Sequence, residues 1–112
     1  MEFIKQIDVH LYQEESGNIP VRDWLYKLSK EDRKIIGRDI KKIQISWPVD
    51  NLLVKPLGNK MWEIRSRLDN RIARIIFVFH EGRIILLHGF IKKTEKTPLQ
   101  EIDLAKKRFK NL

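Results

Sequence analysis

From Phe3 to Leu11 the chain alternates: Phe3, Ile7, Val9 and Leu11 share one parity, while Gln6, Asp8 and His10 take the other. A period of two predicts a half-buried strand. After the polar loop Glu14-Glu15-Ser16-Gly17-Asn18, the period lengthens. Pro20 opens a stretch in which Val21, Trp24, Leu25 and Leu28 fall at i, i+3, i+4 and i+7. That spacing predicts a short amphipathic helix, and proline suits its first position because an N–H there has no intrahelical partner. Ser29 is placed to cap a second helix, with Asp32 three residues on. Ile36, Ile40, Ile43 and Trp47 give that helix its buried stripe, and Pro48 ends it. Lys34, Arg38, Lys41 and Lys42 read most simply as its solvated face.

The second half returns to strand patterns. Met61 to Leu68 alternates Trp62, Ile64 and Leu68 against Glu63, Arg65 and Arg67. Asp69-Asn70-Arg71 reads as a turn. Ile72 to Phe79 and Ile84 to Ile91 are apolar on both faces, which places them centrally in a sheet, and Glu81-Gly82 makes a tight hairpin between them. Thr97, Pro98 and Gln100 have the spacing of a capping box, with Thr97 as N-cap. A last helix follows, with Ile102, Ala105, Phe109 and Leu112 as its stripe. The expected order is β-α-α-β-β-β-α. This is an α+β domain with an antiparallel meander, a helical hairpin and a C-terminal helix, the first strand completing a four-stranded sheet. With no repeat or linker, residues 1–112 are expected to form a single domain.

Charge changes this picture. The chain of 112 residues carries a formal net charge of +8. Residues 1–54 hold 9 basic and 9 acidic residues, whereas residues 55–112 hold 14 basic and 6 acidic. The whole excess sits in the second half, and such a one-sided field suits a polyanionic partner. There is no cysteine, so neither a disulfide framework nor a thiolate metal site is expected. The three histidines lack metal-ligand spacing. No N-terminal apolar segment marks a secretory signal and no stretch is long enough for a membrane span, so a cytoplasmic protein is expected.

The basic residues of the meander are the candidates for chemistry. Arg65 and Arg67 lie two apart and share a face. Arg74 interrupts an apolar central strand, where a guanidinium must pair with a carboxylate or line a cleft. Lys92 and Lys93 close the last strand. Lys55 and Lys60 flank the segment Pro56-Leu57-Gly58-Asn59 ahead of the meander. Arginine binds phosphate through two parallel hydrogen bonds and stays charged. It can therefore stabilise a pentacovalent phosphate, and a lysine crowded by cations can exchange a proton. Convergence of these groups would support phosphodiester chemistry with no metal or cofactor. The structural alternatives are an exposed ladder of Glu63 with Arg65, an ion pair of Arg74 with Glu63 or Glu81, and a solvated strand end at Lys92-Lys93. His88, in parity with Leu86 and Phe90, reads as packed.

The run Lys60-Met61-Trp62-Glu63-Ile64-Arg65, Arg74 within Ile75-Ile76-Phe77-Val78-Phe79, and above all Ile84-Ile85-Leu86-Leu87-His88-Gly89-Phe90-Ile91-Lys92-Lys93-Thr94, continued by Lys96-Thr97-Pro98, resemble the phage-derived HigB-type branch of the RelE/ParE toxin superfamily. The resemblance covers nearly the whole chain. It implies a toxin of a type II toxin–antitoxin pair that cleaves mRNA on the ribosome, with the ribose 2′-hydroxyl as nucleophile. It further implies a helix-turn-helix, HigA-like antitoxin, through which alone operator DNA would be contacted. By position, Arg74 matches an arginine on the scissile phosphate, Arg65 a basic position on the preceding strand, and Lys92 and Lys93 a basic pair. Lys55 lies where relatives carry a general base. Lys55, Lys60, Arg67 and Lys96 would hold the RNA. Relatives carry a Tyr or His near the C-terminal helix, and Thr97-Pro98-Leu99 offers neither. Glu63 is the second candidate for proton acceptor. The alternatives are a ParE-like inhibitor of DNA gyrase that cuts no RNA, and a phage nucleic-acid-binding protein with neither activity.

Overall fold

The computed structural model describes residues 6–92 and 96–112. Phe3, the first residue of the expected N-terminal strand, and Lys93 lie outside them. The elements are β1 (Val9–Leu11), α1 (Pro20–Tyr26), α2 (Lys30–Ser46), β2 (Val54–Gly58), β3 (Met61–Leu68), β4 (Arg71–His80), β5 (Arg83–Lys92) and α3 (Leu99–Lys110). The fold is α+β, as the patterns predicted, but among the described residues its sheet has five strands in the order β1-β5-β4-β3-β2.

The additional strand corrects the four-stranded expectation. Val54–Gly58 lacks alternation and contains Pro56 and Gly58, so it reads as a loop. It becomes a strand because β3 offers a free row of backbone groups, to which Val54, Lys55 and Pro56 pair antiparallel. Proline is tolerated there because β2 is an edge strand, and the register shifts between Pro56 and Gly58. Asn59 and Lys60 both adopt positive φ, 52° and 66°, and turn the chain tightly into β3. The Glu81-Gly82 turn between β4 and β5 does the same with φ of 52° and 76°, as the sequence predicted.

β2 to β5 form a continuous antiparallel meander, and β1 joins β5 in parallel with Val9 opposite Ile84. The two strands apolar on both faces, β4 and β5, are interior as expected. The helices α1 and α2 cover one face, where Val21, Ile36 and Ile43 pack on Ile64, Ile75, Phe77 and Leu86. The helix α3 covers the other, where Ala105 joins Met61, Ile76, Val78 and Leu87. Trp47, at the end of α2, meets the rings of Trp62 at 5.1 Å and Phe79 at 4.8 Å, which anchors the hairpin to the sheet. Trp24 of α1 packs against Gly89 of β5. A β-carbon at that position would stand 2.4 Å from the indole, so only glycine admits the ring.

The Ser29 cap forms as read: its hydroxyl accepts from the Asp32 amide at 3.1 Å. The Thr97 cap does not. The residue at the N-cap of α3 is Pro98, and among the described residues no side chain caps the helix. Thr97 is buried and bonded elsewhere. Among the described residues, no helix is long and apolar enough to cross a membrane.

Candidate nucleic-acid interface

Register decides which cations meet. Residues opposite one another on paired strands point to the same face. On the α3 side of the sheet three successive rows therefore read Lys55–Glu63–Ile76–His88, Arg65–Arg74–Phe90 and Arg67–Ile72–Lys92. Rows lie about 7 Å apart and neighbouring strands about 4.8 Å apart. Lys55, Arg65, Arg67, Arg74 and Lys92 thus share one face at one end of the sheet. Lys60 does not belong with them. It sits in the β2–β3 turn, five residues and about 17 Å of strand from Arg65. Lys96 is exposed, one residue before Thr97.

The cluster has a buried base and an exposed rim. Arg74 is 1% exposed and Glu63 is fully enclosed. The Arg74 guanidinium Nη1 stands 3.8 Å from Glu63 Oε1 and 3.5 Å from Thr97 Oγ1. Thr97 donates its hydroxyl to Glu63 Oε2 at 2.5 Å. Arg65, whose side chain is about one-fifth exposed, donates Nε to Glu63 Oε1 at 3.4 Å. One enclosed carboxylate therefore gathers two arginines and a threonine. Glu63 compensates charge on Arg74, whose side chain is enclosed and not part of the exposed rim. The sequence placed Arg74 either on a phosphate or in an ion pair with Glu63 or Glu81; among the described residues its acidic neighbour is Glu63.

Arg65 is the member of this network that meets solvent. Glu63 holds its Nε, and its backbone N–H donates to Leu53 O at 2.7 Å, which fixes the strand against the chain entering β2. Beyond Arg65, the side chains of Lys55, Arg67 and Lys92 are exposed. Among the described residues no carboxylate pairs with any of these three. An anion can thus meet Arg65, Arg67 and Lys92 without displacing an internal partner. Both Glu63 oxygens are engaged, so the carboxylate is placed to orient Arg65 rather than to take a proton from a ligand.

On the same face His88 lies apart from the rim. Its Nε2 is 2.5 Å from Glu101 Oε2, and its Nδ1 is 3.4 Å from Arg108 Nη1, which also donates to Leu87 O at 2.8 Å. Burial lowers the Arg108 pKa from its ordinary value, an effect opposed by the charges of Glu14 and Tyr12. These groups tie α3 to β5, in keeping with the packed role expected of His88. Among the described residues no cluster of three or more His, Cys, Asp or Glu could hold a metal ion.

Sequence reasoning gave Thr97 a helix-capping role and missed its place in this network. No local signal was available, because its partner lies 34 residues away. Glu63 carried a signal: it shares parity with Arg65 in a strand whose neighbour contains an arginine.

Residues 23–110 match the family of phage-derived Gp49-like proteins (DUF891). The chain belongs to this family, which is associated with RelE-type toxins. No curated protein matches it.

Proposed function

We propose that the protein is the toxin of a type II toxin–antitoxin pair and an endoribonuclease acting without metal on mRNA engaged by the ribosome. A helix-turn-helix antitoxin would hold it inactive in the cytoplasm. The observation that carries this reading is Arg65: a guanidinium oriented by an enclosed carboxylate, facing solvent between unpaired cations on one sheet face. Membership of a family associated with RelE-type toxins supports it.

In the proposed reaction the ribose 2′-hydroxyl attacks the adjacent phosphorus, and the 5′-oxygen leaves with a proton. Arg65 binds the phosphate and stabilises the charge that grows on it. Arg67 and Lys92 hold the flanking backbone, and Lys92 or its neighbour Lys93 protonates the leaving oxygen. Lys55, opposite Glu63 on β2, is the candidate to accept the 2′ proton. Arg74 acts as a positioning residue, through Glu63.

The test is cell-free translation with the purified protein and primer extension on the reporter mRNA. Discrete cuts within the reading frame, lost in Arg65→Gln, are expected. Intact mRNA together with trapped gyrase–DNA complexes would replace this reading with gyrase inhibition.

A further inference from the structure

A second cationic surface adjoins the first around the edge of β3. It is a cleft of about 470 Å³ between α2, the chain from Pro48 to Leu53, and the end of β3. Four basic side chains line it: Arg38 and Lys42 from α2, and Arg65 and Arg67 from β3. Arg38 and Lys42 are one helical turn apart and present one face. Residues such as Ile35, Val49 and Leu53 supply its apolar wall.

Two carboxylates also line the cleft, and both are occupied. Asp39 is buried and lies 3.8 Å from Lys42 Nζ. Asp50 Oδ1 accepts the backbone amides of Leu52 and Leu53 at 2.9 and 3.1 Å, and so shapes the turn into β2. Arg38 and Arg67, in contrast, pair with no carboxylate among the described residues. A positive potential thus remains in a concave site within the ~300–1,000 Å³ range of ligand pockets.

We propose that this cleft takes a single-stranded RNA segment flanking the cleaved link, with phosphate on Arg38, Lys42 and Arg67, and a ribose or base against Val49 and Leu53. This rests on the ribonuclease reading and adds a substrate path to it. Arg65 decides for RNA over an acidic protein, because it belongs to both surfaces. A strand whose phosphate lies on Arg65 is led past the end of β2 directly into the cleft. The pairing of cations with an apolar wall suits a backbone that carries both charge and a stacking face.

The experiment uses cell-free translation with an mRNA carrying 4-thiouridine, irradiated in the presence of the full chain. A crosslinked peptide spanning residues 47–55 is expected. In the unlabelled reaction, Arg38→Gln with Lys42→Gln should raise the protein concentration for half-maximal cleavage. Loss of two single-strand phosphate contacts corresponds to about 25-fold at 0.1 M salt. Lys107→Gln, which removes an exposed charge on α3, should leave that concentration unchanged. Thermal melting of Arg38→Gln alone should match the parent, since that side chain is exposed and Asp39 keeps Lys42 beside it; this single variant should already raise the concentration about 5-fold at 0.1 M salt. Crosslinks confined to β5 and residues 96–98, or to ribosomal RNA, with cleavage by the double variant at parental concentrations, would overturn the cleft proposal and leave the ribonuclease reading standing. Absence of cleavage by the parent protein would overturn both.

Discussion

Thr97 gives its hydroxyl proton to Glu63 at 2.5 Å, joining the segment before α3 to the middle of β3. The bond closes the cover over Arg74 and places a threonine, a carboxylate and two arginines in one network.

Removing the carboxylate takes away the charge that Glu63 holds 3.8 Å from the enclosed Arg74 guanidinium. Glu63→Ala should therefore destabilise the fold by about 3–5 kcal/mol, read by urea denaturation. Combining it with Arg74→Met should cost markedly less than the two single changes summed, because the double variant buries no charge. Additive losses would show that the two side chains are energetically independent.

The role of Thr97 can be told from helix capping by one substitution. A cap accepts aspartate readily, whereas here a second carboxylate would face Glu63. Thr97→Asp should destabilise, as should Thr97→Val, by about 1–3 kcal/mol for the unpaired group left behind. Thr97→Ser keeps the hydroxyl and should stay near the parent in melting temperature. An aspartate variant as stable as the parent would return Thr97 to the cap.

Gly89→Ala puts a methyl group against the Trp24 ring, at 2.4 and 2.5 Å from ring atoms. Overpacking of this kind costs about 1–3 kcal/mol. Trp24→Leu in the same chain should recover part of the loss. Chemical denaturation of the three variants checks the coupling.

Arg65→Gln should lower mRNA cleavage by about 100-fold or more, the usual cost of removing a group that stabilises transition-state charge. Glu63 keeps Arg74 beside it, so unfolding free energy should change by no more than about 1 kcal/mol. An equal loss of stability and activity would instead make Arg65 a structural residue.

Ser29→Ala removes the acceptor for the Asp32 amide. The loss expected is about 1 kcal/mol, with the helical circular dichroism signal of the folded state retained.

Local periodicity determined the helical hairpin, β3, both interior strands and the hairpin at Glu81-Gly82, because a two-residue or 3.6-residue repeat is written in neighbouring side chains. Parity likewise showed that Arg65 and Arg67 share a face, and the charge count showed where the basic excess lies. Tertiary structure alone decided the rest. Val54–Gly58 became a strand because β3 had an edge to offer, not because its own residues favour one. Lys60 left the cluster because two positive-φ residues set it at the far end of β3. Arg38 and Lys42 passed from a solvated helix face to a cleft wall once the chain from Pro48 to Leu53 folded back beside them. Arg74, Glu63 and Thr97 became one network because strand register and the approach to α3 bring together residues far apart in the chain. Burying a charge requires a partner, and only the folded chain specifies which one is within reach.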